Sequence, residues 1–165
     1  MKVLKLLMLL MLATSCCAAD HEDRQEAEYY VAAYAQHYGI PVEFVRALVE
    51  QESAWRRCAI SNKGATGLMQ LMPETARRLG VQDRCDLQQN ISGGVRHLAY
   101  LIAKFHGDLR LVAAAYYAGE RVIEAKGLRY SNPDVVGYVA RLRERFERQK
   151  EFQSARLAST FGRTR

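Results

Sequence analysis

The sequence predicts one mainly α-helical domain, and three observations carry that prediction. Apolar residues recur at three- and four-residue spacing in several separate segments. Proline, asparagine and most of the glycines fall between those segments or at their edges. No apolar-polar alternation of strand length occurs, so any sheet is expected to be at most a small β-hairpin in the loops. The chain has 165 residues, 49% of them apolar and 25% charged, which suits one globular domain able to bury a sizeable core.

Taken in order, residues 1–19 read as a secretory signal and not as part of the fold. Lys2 and Lys5 precede the unbroken apolar run Leu6 to Leu12, which is too short to span a bilayer, and small residues lead to Ala18-Ala19. A lipid on Cys16 is the weaker alternative, because Ala13-Thr14-Ser15 lacks the large apolar residue of such a site. The domain itself is expected over residues 20–150. Ala27, Tyr30, Val31 and Tyr34 mark a helix from Glu22 to Tyr38, with Gly39 as its stop. Pro41 is suited to the first position of a second, mostly apolar helix through Ser53. Trp55 to Thr66 reads as a loop, and a short helix runs from Pro73 to Gly80. Asn90 is expected to cap a helix carrying Ile91, Val95, Leu98, Ile102 and Phe105 up to Gly107. Asp108 caps the next, through Leu111, Val112 and Tyr116 to Gly119. Asn132-Pro133 opens the last helix, with Val135, Val139, Leu142 and Phe146 on one face. Apolar residues become sparse after Lys150, so 151–165 is expected to be a basic, frayed tail.

Charge and cysteine usage narrow the class. Without the signal, 22 basic residues stand against 18 acidic ones, and from Arg141 onward 8 stand against 3. The surplus therefore sits in the tail. With a near-neutral core and no basic face interleaved with aromatics, nucleic acid is excluded as the expected partner. Removal of the signal leaves Cys58 and Cys85, which an oxidising compartment allows to pair; two separate buried thiols are the alternative. His21, His37, His97 and His106 have no metal-ligand spacing, and no phosphate loop, nucleophile elbow or zinc signature occurs. No metal or other cofactor is expected.

Glu52 is the residue that physical reasoning singles out. It lies on the apolar side of its helix, in line with Leu48 and Phe44, while Glu50 falls with Arg46 and Glu43 on the polar side. Burial and the negative end of the helix dipole both disfavour an anion there. A carboxyl that keeps its proton near neutral pH is what a general acid requires. A helix-end carboxylate turned to solvent is the bland alternative.

The segments around it decide between these. Glu52-Ser53 is followed by Gly67-Leu68-Met69-Gln70-Leu71-Met72-Pro73, Asn90-Ile91, Ala115-Tyr116-Tyr117-Ala118-Gly119 and Gly137-Tyr138-Val139. In this order and spacing the chain resembles the soluble lytic transglycosylase domain, a relative of goose-type lysozyme, from about Ile40 to Phe146. The resemblance implies a lysozyme-like helical fold with a groove for glycan. It implies Glu52 as the catalytic acid, with Ser53 as its companion. It implies Gln70 as a sugar-holding amide, Met69 and Ser61 as groove residues, Tyr116 as the tyrosine near the carboxyl, and Tyr138 as a later groove tyrosine. Tyr117 departs from the pattern, since the family usually has asparagine at that position. Its place puts it among the substrate-binding residues all the same.

No second carboxylate with motif support accompanies Glu52, which fits a lytic transglycosylase that forms a 1,6-anhydro product without water. A goose-type lysozyme-like hydrolase and a non-catalytic peptidoglycan-binding module are the alternatives. The expected substrate is the glycan strand of peptidoglycan, acted on in the periplasm by a monomer with no membrane span once processed. By analogy with small specialised members, a secretion, conjugation or pilus machine is the expected partner.

Overall fold

The computed structural model describes residues 21–161. The segment read as a signal, with Cys16, and the last four residues lie outside the described residues. Seven α-helices and one 3₁₀ turn make up the described part. They are α1 (21–37), α2 (Val42–Ser53), α3 (Pro73–Arg78), α4 (Leu87–Lys104), α5 (Leu109–Ala118), α6 (Glu120–Lys126), the turn Gly127–Arg129, and α7 (Pro133–Phe161). Pairing of extended backbone among the described residues is confined to two isolated antiparallel bridges, Ile60–Thr66 and Thr66–Leu71. The fold is therefore mainly α, as the periodicity implies, with no hairpin of strand length. Among the described residues no helix is long and apolar enough to cross a membrane.

Most helix boundaries follow local chemistry. Pro41 stands just before α2 as its cap residue, and Ala54 ends that helix in the left-handed region at φ 51°. Asp108 accepts the Arg110 backbone N–H to start α5, and Asn132 accepts those of Asp134 and Val135 to start α7. The expected cap at Asn90 is a correction. The cap of α4 is Asp86, whose carboxylate accepts the Gln89 N–H, and Asn90 lies inside the helix and 1% exposed. Helix α6 has no counterpart in the sequence reading; its seven residues contribute one buried apolar side chain, Ile123. Helix α7 does not end near Lys150 but runs on to Phe161.

One continuous core holds the helices together. Phe44, Val45, Leu48 and Val49 of α2 pack with Ile91, Val95, Leu98 and Leu101 of α4, with Val112 to Ala115 of α5, and with Val135, Tyr138 and Leu142 of α7. Each fully buried aliphatic side chain contributes about 1.5–3 kcal/mol. Glu50 fastens α2 to α7 from the outside, accepting from Arg145 at 2.7 Å and Gln149 at 3.2 Å. This explains why two glutamates two residues apart have different fates. Glu50 is consumed by an ion-paired seam, and Glu52 turns away from it.

Candidate active site

Glu52 lies in the last turn of α2 and opens onto a groove of about 660 Å³. The groove walls come from the loop before α3 (Ser61, Asn62, Lys63, Ala65, Gln70 and Met72), the end of α5 (Tyr116, Tyr117 and Ala118) and the start of α7 (Asn132, Asp134 and Val135). A second cavity of about 570 Å³, between Arg24, Arg46 and the far part of α7, holds no buried carboxyl. Of these two, only the first holds a carboxyl whose proton burial retains; Glu28 in the second is ion-paired with Arg46.

Burial pushes the Glu52 carboxyl up to about 7, and the hydrogen bond from Tyr138 opposes that rise. The Tyr138 hydroxyl donates to Glu52 Oε1 from α7. Burial, and then the neighbouring Glu52 charge, hold the Tyr138 phenol well above the ordinary phenol range, so it remains a donor. Tyr138 is 4% exposed, and Gln51 ties its backbone carbonyl to α2 at 3.1 Å. The carboxyl is thus held in one orientation by a buried donor from another helix.

The groove wall is built around Asn90. Its amide oxygen accepts the Met69 N–H at 2.8 Å, and its amide nitrogen donates to the carbonyls of Thr66 at 3.0 Å and Arg84 at 2.8 Å. Arg84 adds bonds to the carbonyls of Gly64 at 2.7 Å and Leu71 at 3.1 Å. Cys58 and Cys85 are bonded, their Cα atoms 4.7 Å apart, tying the same wall to the segment before α4. Gly67 lies at φ +86°, and a Cβ there would come within 2.1 Å of the Asn90 amide and 2.2 Å of the Arg84 carbonyl. No other residue fits.

The residues implied by the resemblance fall into three groups. Glu52, Ser61, Gln70, Tyr116 and Tyr117 all line the groove. Gln70 has a left-handed backbone at φ 48°, and its amide nitrogen donates to the carbonyls of Ala59 at 2.8 Å and Gly67 at 2.9 Å. That fixes the amide plane. Ser61 accepts the Ala65 N–H at 3.0 Å, stabilising the turn that bears Asn62 and Lys63.

Tyr116 lines the groove close enough to Glu52 to feel its charge, as expected, but the hydroxyl bonded to the carboxyl is that of Tyr138, which does not line the groove. Tyr116 donates instead to the Met69 carbonyl at 2.8 Å. Ser53 and Met69 do not present side chains to the groove. Ser53 is 2% exposed and bonds back to the Val49 carbonyl, while Met69 is fully buried. A Cβ on Gly94 would meet the Met69 sulfur at 2.4 Å, so that glycine is needed for α4 to approach this closely. Met69 serves the site through its backbone.

Sequence reasoning missed Asn90 as the clamp, and Asn62, Lys63, Met72, Asn132, Asp134 and Val135 as groove residues. A signal existed for the first. Asn90 is in phase with Leu87, Ile91, Gly94 and Leu98, and a polar side chain in an apolar stripe must find partners inside. No comparable pattern marks the others, which converge from two distant segments, the loop before α3 and the start of α7.

Similarities to known proteins agree with this geometry. The family model of the Transglycosylase SLT domain matches residues 29–134. The chain is 46% identical over 102 residues to the membrane-bound lytic murein transglycosylase F of Thiobacillus denitrificans, covering 54% of this chain and 22% of that protein. It is 37% identical over 89 residues to the transglycosylase of Enterobacteria phage PRD1, covering 54% of this chain and 33% of that one. Among solved structures, an inactive glutamate-to-glutamine mutant of the lytic transglycosylase Slt from Pseudomonas aeruginosa superposes with a TM-score of 0.68. It is 26% identical, over 77% of this chain and 24% of that one. The matches span a third or less of the length of these relatives. A single proton-bearing glutamate at the end of one helix, a clamped Gly-Leu-Met-Gln wall and a helical frame that superposes on a lytic transglycosylase converge on one answer: the chain belongs to the Transglycosylase SLT domain family.

Proposed function

We propose that this protein is a peptidoglycan lytic transglycosylase that cleaves the β-1,4 bond between N-acetylmuramic acid and N-acetylglucosamine, with Glu52 as its one acid and base. The observation that carries the reading is a carboxyl raised to about 7, oriented by a buried phenol and open to a groove with both polar and apolar walls. Half-protonated near neutral pH, Glu52 can give a proton and take one back.

Protonated Glu52 donates to the glycosidic oxygen, the C1–O bond breaks, and the N-acetylglucosamine portion leaves with a free 4-hydroxyl. Positive charge at the muramic C1 is shared with its own N-acetyl group. Glu52, now a carboxylate, accepts the proton of the C6 hydroxyl as that oxygen closes on C1. The product is the 1,6-anhydro sugar and the carboxyl is protonated again. Neither water nor a second enzyme carboxylate takes part. Amide and ammonium donors at Asn62, Lys63 and Asn132, with the exposed surfaces of Met72 and Tyr117, suit a chain of sugars with polar edges and apolar faces.

One observation favours a hydrolytic second reading. Asp134 lines the same groove, and a second carboxylate is what a lysozyme-like hydrolase needs. Digestion of purified sacculi by the protein and by Glu52→Gln, with mass analysis of the released fragments, separates the readings. Anhydro products, absent with Glu52→Gln, support the transglycosylase; reducing ends lost in Asp134→Asn support the hydrolase. Glycan binding without any product leaves a binding module. The same proposal places the protein in the periplasm, where it opens the wall locally for a secretion, conjugation or pilus machine. It is supported by the signal-like residues 1–19.

A further inference from the structure

The proposed reaction uses Tyr117 only as one exposed surface of the groove and leaves the manner of its contact with sugar open. Tyr117 is 46% exposed and sits in the wall beside Tyr116, where it lines the same groove as Glu52. Adjacent helical residues point about 100° apart. Tyr116 accordingly turns inward to the Met69 carbonyl, while Tyr117 faces α7. There its ring stacks on that of Tyr138, the centroids 4.6 Å apart and the planes 25° from parallel.

A stacked pair of this kind has two sides. The side of Tyr117 towards Tyr138 is covered, and Tyr138 is itself 4% exposed. The Tyr117 ring therefore rests on a fixed base and does not swing freely, and its exposed surface belongs to the groove. Only Tyr117 and Met72 among the groove residues are large apolar side chains with this degree of exposure. Of the two, Tyr117 alone offers a flat, rigid surface.

We infer that Tyr117 is the sugar-stacking platform of the groove. A pyranose carries several C–H groups on one face and its hydroxyls around the edge. The C–H face lies on the open side of the Tyr117 ring, while edge hydroxyls reach the amides of Gln70, Asn62 and Asn132. The Tyr138 ring beneath holds the platform in place, and its hydroxyl stays on Glu52, so the bound sugar is registered against the acid by two stacked rings. This rests on the reading of the groove as a glycan site and deepens it by giving Tyr117 a stacking role on a fixed Tyr138 base.

The test separates the two claims by measuring binding without turnover. Chitohexaose is titrated calorimetrically into Glu52→Gln protein carrying tyrosine, phenylalanine, leucine or alanine at position 117. Phenylalanine, which keeps the ring, should bind within about twofold of tyrosine, and alanine and leucine should bind about tenfold more weakly, the effect of losing one aromatic face. Circular dichroism melting confirms that each variant is folded, and leucine preserves bulk if alanine perturbs packing. Equal affinity for all four proteins overturns the platform while leaving the groove a glycan site. No binding even with Tyr117 present overturns both claims. Unchanged affinity with a lower kcat, and a shifted alkaline limb of the pH profile in the Glu52 protein, also overturns the platform, because it assigns Tyr117 only to bracing Tyr138.

Discussion

Glu52 and Tyr138 set the pH behaviour of the site. The carboxyl titrates at about 7, raised by burial and restrained by the Tyr138 hydrogen bond. The proton-donating step should therefore fail as pH rises through about 7, giving an alkaline limb there in a kcat profile. Tyr138→Phe removes the bond that lowers the value, so the limb should move to higher pH while kcat falls. A limb at the wild-type position would show that the bond does not tune the acid. Stability follows the same proton. The folded state holds it more tightly than the unfolded chain, whose value is near 4.5, so the stabilisation is complete below 4.5 and lost as pH rises through 7. Glu52→Gln lacks this dependence. Its stability relative to wild type should rise by roughly 3 kcal/mol between pH 4.5 and pH 8 in denaturant melts. At this scale Glu52 was singled out by its place on an apolar face, and the motifs that follow it decided against the solvent-facing alternative. The Tyr138 contact was not, because it joins residues 86 apart in sequence, and no local spacing encodes which of two buried tyrosines reaches the acid.

Among the elements, the wall from Ala59 to Leu71 has the least regular structure and the most cross-links. Asn90, Arg84 and the Cys58–Cys85 bond each fasten it to the segment around the start of α4. Asn90→Leu would leave the Met69 N–H and the carbonyls of Thr66 and Arg84 without that partner. The expected loss is about 2–4 kcal/mol in chemical denaturation, together with loss of glycan cleavage. Paired serine substitution at Cys58 and Cys85 should cost about 2–4 kcal/mol in the same measurement, because a 27-residue separation is closed by that bond. The misplaced cap at Asn90 has a plain cause. Asparagine ahead of an apolar run is a strong start signal, and Asp86, four residues earlier, carries the same chemistry with Leu87 already facing the core. Seven-residue α6, with Ile123 as its buried side chain, is too short and too polar to produce a helical stripe.

For the whole molecule, the helical frame was readable because each long helix carries its own apolar stripe and its own punctuation. The extent of α7 was not, since after Phe146 it continues as a mostly exposed helix without a core face to mark it. Gln153 alone of residues 151–159 is partly buried, so removing 151–165 should leave the melting temperature and sacculus digestion nearly unchanged. A large loss of either would show that the end of α7 is part of the domain. The proposed chemistry spans the molecule in another sense: α2 supplies the acid, α7 its orienting phenol, α5 and the clamped loop the groove. A single carboxyl is sufficient only if the substrate closes on itself. Digestion of sacculi in water enriched in heavy oxygen tests this most directly, by mass analysis of the newly formed muramic ends. The account predicts anhydro ends carrying no oxygen from solvent; incorporation of heavy oxygen at those ends would contradict it and require a second group that activates water.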